Sequence, residues 1–292
     1  LLPRFNYHEP TTLEEACQIM AEFREKAMPL AGGTDLLVKM KKGIVSTENV
    51  VSLNRVGELT KIDHSNGLLK IGACQTAAEL AKSNVIKPAF SSLNQGANSL
   101  GSPLIRNLAT IGGNLVSARP AADLPPPLMA YGANIVLKNS SRERIVSLEE
   151  FFRGPGQTIM ESDEILTEIS LKKPPPKSGA SYIKLGIRRA LEISIVNVAS
   201  FITLDNQDGT IRTARVVLGA VAPTPIRAVS AEELLIGEEP DDFHFSRAGE
   251  AAAKDSKPID DFRGSAMYRR AMVKVLTQRS LNIALEKAKE NG

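Results

Sequence analysis

Residues 174–176 of this chain are three consecutive prolines, set in "KKPPPKS". A run of this kind has lost three backbone donors and fixed three φ angles, so it enters neither a helix interior nor the middle of a sheet. It acts as a linker, and it divides the 292 residues into a longer first part, 1–176, and a shorter second part, 177–292. With 42% hydrophobic residues, each part has the material for a core.

The first part itself divides. "FNYHE", "AMPLA" and "NVVSL" have the composition of short strands, and two helical stretches separate them. In the first of these, Thr12 and Glu15 have capping-box spacing, and Leu13, Ala16, Cys17 and Met20 recur at the interval of one helix face. The second, "DLLVKMKKG", ends at Gly43. Strand-helix alternation over residues 1–55 predicts a small α/β subdomain. Over 56–176 the strands "LLKIGA", "ANIVLKN" and "EILTEISL" dominate, interrupted by a helix that Thr76 and Glu79 can cap. Beyond the prolines, "SYIKLGIRR", "SIVNVASFITLD" and "IRTARVVLGAV" alternate as three antiparallel strands, with "NQDG" turning the second into the third. The remainder, from Ala231, reads as helical, and the last helix is expected to bury Tyr268, Met272, Val275, Leu276 and Ile283. The fold class is therefore α+β.

Two glycine pairs stand out, in "PLAGGTDLL" and in "LATIGGNLVSARPAAD". A glycine pair between an apolar run and a helix turns the backbone through φ > 0 and leaves no Cβ to keep a ligand from the peptide N–H groups. Such a turn suits a phosphate, and two of them suit a dinucleotide. Asp35 would repel a phosphate, so its reach fits either a ribose hydroxyl or a helix cap. The G-x-G-x-x-G spacing of the Rossmann turn is absent, so another dinucleotide fold is required.

The rest of the chain excludes more than it offers. With 36 basic and 33 acidic residues the net charge is +3, and no block of like charge marks a nucleic-acid partner. No apolar run is long enough for a membrane span, and no signal peptide opens the chain, which predicts a cytoplasmic protein. Cys17 and Cys74 read as small buried thiols, and the three histidines have no metal-site spacing. Neither a serine nucleophile elbow nor a Walker lysine motif occurs, so hydrolysis has no visible machinery.

"AGGTD" at 31–35 with "TIGGN" at 110–114, followed by "DLPPPLMA", closely resembles the FAD-binding medium subunit of the molybdenum hydroxylases. Xanthine, carbon monoxide and nicotinate dehydrogenases and 4-hydroxybenzoyl-CoA reductase are relatives in that family. The resemblance runs on through "YIKLGIRRALEIS" and "FRGSAMYRRAM" and covers nearly the whole chain.

That resemblance implies an FAD-binding domain of the p-cresol methylhydroxylase type, made of two α/β subdomains, followed by a C-terminal domain of a three-stranded antiparallel sheet with helices. It implies FAD contacts from the loop Pro29, Leu30, Ala31, Gly32, Gly33, Thr34, Asp35 and Leu36, and from Thr110, Ile111, Gly112, Gly113 and Asn114. Ser117 and Asp123 would add polar contacts, and Leu100 and Gly101 would lie near the adenine. Leu166, Lys184 and Ile193 would line the isoalloxazine, with Lys184 as a cation that eases its reduction. Where many relatives carry a small residue this chain has Arg119, which would meet a phosphate, a neighbouring subunit or only water. The "GIRRALEIS" loop would gate the flavin, and its single acid, Glu192, leaves the electron acceptor unassigned. The function implied is electron transfer. A large partner would hold the molybdenum cofactor and a small partner two 2Fe–2S clusters, likewise by resemblance, in a dimer of heterotrimers, and this chain would pass electrons from the clusters to an external acceptor. No residue is expected to act as an acid–base catalyst. The alternative is a self-contained FAD-dependent oxidase or reductase. Arg263, Arg269, Arg270 and Arg279 would be either docking residues or solvated ones.

Overall fold

The structure, a computed structural model, describes residues 2–188 and 191–291. The first 55 residues form a three-stranded parallel sheet in the order Asn6–His8, Asn49–Ser52, Ala27–Leu30. Parallel neighbours need crossovers, and the helices Leu13–Phe23 and Leu36–Lys41 supply them. Thr12 Oγ1 caps the first helix by accepting from the Glu15 N–H at 3.2 Å, and the expected stripe Leu13, Ala16, Cys17 and Met20 is buried. The Glu15 carboxylate returns to the Thr11 N–H, one residue earlier than a reciprocal box requires.

Residues 56–176 form a five-stranded antiparallel sheet in the order Ile62–Ser65, Leu68–Gly72, Ile165–Lys172, Asn134–Lys138, Glu143–Ser147. The outer two strands were not expected from sequence, and the single expected helix is one of six between Ala77 and Ala130. Ala77–Lys82 carries the full capping box, with the Thr76 N–H donating to Glu79 at 2.9 Å. The other five run for four to nine residues, too few turns for a 3.6-residue period to emerge.

After the prolines the chain enters a second antiparallel sheet. Ser178–Leu185, Val196–Leu204 and Ile211–Gly219 are the three expected strands, and the two-residue strand Ile226–Arg227 extends the edge. Alternate residues serve two cores. Val196, Val198 and Ile202 pack with the helices Asp242–Asp255 and Ala266–Glu290, while Tyr182, Ala199 and Val217 join the core of the first part.

The long last helix follows the expected side only in part: Leu276 is buried and Met272 packs partly buried against the same core. Its buried residues are Arg269, Val273, Leu276, Thr277, Ser280, Leu281, Ala284, Leu285 and Ala288, and Tyr268 is exposed. Close approach explains the small and polar residues. A Cβ on Gly179 would fall on the Ala284 carbonyl, and Ser181 and Ser280 hydroxyls meet at 2.6 Å. No helix among the described residues is long and apolar enough to cross a membrane.

Candidate cofactor-binding cleft

A cleft of about 560 Å³ opens where the parallel sheet, the antiparallel sheet and the second part meet. That volume suits a cofactor-sized ligand. Of the residues expected to bind, all line it except Gly101, Ile111, Asp123 and Lys184. Leu100, Leu166 and Ile193 contribute apolar wall, together with Ile105, Val116, Met160 and Ile165. Those last four carry no sequence signal of a site. Ile165 and Leu166 both reach the cleft beside a register shift between Leu166 and Glu168, a bulge of the kind that re-aims side chains at sites.

The two glycine pairs act differently. Gly33 has φ of 69°, and a Cβ on Gly32 would fall on the Leu108 carbonyl. The backbone N–H groups of residues 32–36 donate to no described residue, so five donors remain for an anion or water. This loop has the properties expected of a phosphate cradle.

The second pair is not a strand-to-helix turn. Gly112 and Gly113 lie inside the helix Ile111–Val116, without positive φ. Its N–H groups are consumed: Ile111 donates to Gln75 O, Gly112 to Ala73 O, Gly113 to Thr110 Oγ1 and Asn114 to Thr110 O, all within 3.1 Å. The glycines serve packing instead, because a Cβ on Gly112 would stand 2.7 Å from the Ala73 Cβ. Asn114 Oδ1 accepts from the Leu124 N–H, and Ser117 Oγ donates to Asn114 O, so the polar contribution here comes from side chains.

The four residues off the cleft have other partners. Ile111 is core, and Gly101 (φ of 51°) turns the chain so that its carbonyl accepts from the Leu191 N–H. Asp123 is buried and accepts from Tyr182 Oη at 2.7 Å, Lys184 Nζ at 2.9 Å and Ser194 Oγ at 3.2 Å. Burial holds its carboxyl above the ordinary range, opposed by Lys184 and the two hydroxyls. Lys184 also donates to Ser99 O. An ammonium neutralised in this way presents a dipole rather than a free charge, which weakens the expectation that it eases flavin reduction.

Asp35 neither caps the helix that follows it nor stands free. Its carboxylate pairs with Lys39 at 2.5 Å and Arg119 at 3.1 Å, and these cations hold it below its ordinary value against partial burial. Lys39, four residues after Asp35, was recognisable by spacing. Cys74 also lines the cleft, with its thiol pushed up to about 12 by burial. Cys17 is likewise buried and raised. Ile193 lies between the strands Ser178–Leu185 and Val196–Leu204, and beside it Glu192 pairs with Arg188 at 2.9 Å. Arg189 and Ala190 of the expected gate lie outside the described residues. Arg269 is no docking residue: it is buried and donates to Ile195 O, Ala220 O and Asp261.

The lining thus combines an apolar wall with unpaired N–H donors and two cations, which fits a ligand that joins a flat ring to a diphosphate. A family model described as the FAD binding domain in molybdopterin dehydrogenase matches residues 3–174, and one described as the CO dehydrogenase flavoprotein C-terminal domain matches 181–284. The chain is 30% identical over 278 residues to the glyceraldehyde dehydrogenase medium chain of Sulfolobus acidocaldarius, covering 95% of this chain and 97% of that one. It is 30% identical over 286 residues to the xanthine dehydrogenase FAD-binding subunit of Escherichia coli O157:H7, with 97% of each covered. A solved carbon monoxide dehydrogenase from Hydrogenophaga pseudoflava, lacking the Mo-pyranopterin moiety, contains a chain of similar structure. The TM-score is 0.94 at 31% identity, covering 98% of this chain and 99% of that one.

Proposed function

This chain belongs to the FAD-binding medium subunits of the molybdenum-containing dehydrogenases, and from that premise we propose that it is the electron-transfer station of a three-component enzyme. It would accept electrons from the iron–sulfur clusters of a small partner and deliver them to an external acceptor, while substrate is oxidised at the molybdenum cofactor of a large partner. Residues 1–176 would be the FAD-binding domain and 177–292 the domain that completes it, in a dimer of heterotrimers in the cytoplasm.

The observation that carries this reading is the chemistry of the cleft lining. The five free N–H donors of residues 32–36 would hold the diphosphate, with Thr34 offering a hydroxyl. Asn114 and Ser117 would take polar contacts to the ribityl or ribose hydroxyls, and Leu100 would pack on adenine. Leu166 and Ile193 would flank the isoalloxazine and exclude water. Gly101, Ile111, Asp123 and Lys184 would act from behind that surface, fixing its shape. Bound FAD supplies the electron-transfer chemistry, and the protein supplies position and electrostatics. Asp35 is ion-paired and burial keeps the Cys74 thiol protonated, which supports a role for the lining in binding rather than in proton transfer.

Rapid mixing of the assembled complex with its substrate tests the relay. Absorbance should show the clusters and the flavin reduced together, while the FAD-loaded chain alone stays oxidised with the same substrate. Stoichiometric reduction of the isolated chain would overturn the relay in favour of a self-contained flavoenzyme.

A further inference from the structure

Arg119 and Lys39 come to the cleft from separate segments and meet on one carboxylate. Lys39 lies on the helix Leu36–Lys41, and Arg119 follows the helix Ile111–Val116 after Ala118, whose φ is 45°. Asp35 Oδ2 takes the ammonium and Oδ1 the guanidinium. All three side chains line the cleft, and Asp35 is the only acid among the described residues that do so. The group therefore carries a net charge of about +1 beside the loop whose N–H groups are unpaired.

Exposed ion pairs contribute little to folding. Arg119 is more than half exposed, with 55% of its side-chain surface accessible. Its energetic consequence is to be sought in what enters the cleft. The diphosphate of a dinucleotide carries two negative charges, and the helix that opens with Ile111 has no spare N–H group to meet them. Charge compensation falls to the 32–36 loop and to these cations.

We propose that Arg119, held in place by Asp35, is a counter-ion for the diphosphate of the bound dinucleotide, with Lys39 as the second cation. The proposal rests on the FAD-binding reading and adds to it a residue that selects the dinucleotide over a flavin lacking phosphate. A guanidinium presents a planar fork to phosphate oxygens, whereas an ammonium supplies only the point charge.

The test uses the full chain stripped of flavin, with FAD and riboflavin binding followed by quenching of flavin fluorescence at low and high salt. Arg119→Ala should weaken FAD binding by about tenfold or more at low salt, the range of a lost charge-assisted hydrogen bond. Its FAD affinity should depend less on salt than that of the parent. Riboflavin affinity should be unchanged, and Arg119→Lys should recover part of the loss. Equal FAD affinity in Arg119→Ala and parent would overturn the proposal, as would an equal loss of FAD and riboflavin. A parent chain that binds neither flavin would instead sink the FAD reading beneath it.

Discussion

Lys184 and Asp123 are 61 residues apart and 2.9 Å from one another. Neither residue alone announces the pair, because a contact of such sequence separation leaves no periodicity behind it. Removing the ammonium by Lys184→Met would leave a buried carboxylate with only the Tyr182 and Ser194 hydroxyls. The expected loss is about 3–5 kcal/mol, the cost of orphaning one member of a buried pair. Chemical denaturation checks it, and Lys184→Arg should retain most of the stability. A loss within error of zero would mean that Asp123 is already neutral in the parent. The glycines were more legible. "AGGTD" predicted both a φ > 0 turn and an open backbone, and Gly33 has them, because a glycine requirement of that kind is local. "TIGGN" was misread as a second such turn. Its glycines answer to Ala73, a neighbour in space that sequence does not reveal.

Regular elements were readable where apolar residues are dense or strictly periodic, as in Leu13–Phe23 and in the strands after the prolines. The last helix defeated that reading in part, because its buried face carries Thr277, Ser280 and Arg269, which give no apolar signal. Arg269 joins the start of this helix to the ends of two strands through the Ile195 and Ala220 carbonyls. Its Nη2 also reaches Asp261 at 2.5 Å. Partial burial works against ionisation of Asp261, but Arg263 and Arg269 bring its pKa from 3.8 down to about 2. A depressed carboxylate stabilises the fold above its unfolded pKa, and that contribution disappears as pH falls from about 4 through about 2. Arg269→Met should cost about 3 kcal/mol at neutral pH by leaving buried acceptors unpaired. It should also narrow the stability gap between neutral and acid pH, since one of the two cations is gone. Denaturant titrations of both proteins across that interval measure the two effects, and an unchanged gap would remove Arg269 from the titration of Asp261.

On the scale of the molecule, the prolines at 174–176 separate two sheets, but the core of the first part continues across them. Tyr182, Ala199 and Val217 are buried among Leu93, Leu128 and Ile135 of the first part, so the second sheet is sandwiched between its own helices and the first part. Polar contacts follow the same line. Arg215 donates to Met129 O, Ser91 donates to Ala180 O, and Asp123 takes its three donors from beyond residue 180. The cleft itself borrows Ile193 from the second part. Composition and linker could suggest the division, but not that the sheet after it is apolar on both faces for two different neighbours. Such an interface makes independent domain motion unfavourable and holds the cleft in one shape. A fragment of residues 1–176 should therefore expose part of its core and leave Asp123 without its cation. It is expected to aggregate or melt without cooperativity, and to bind FAD at least about tenfold more weakly than the whole chain, a difference of about 1.4 kcal/mol. Supplying residues 177–292 as a second polypeptide should restore both properties if the interface, rather than chain continuity, is what counts. Calorimetry and flavin fluorescence on the two fragments, apart and mixed, decide this. A cooperative melt and full FAD affinity for the first fragment alone would show that the two parts are energetically independent despite their shared core.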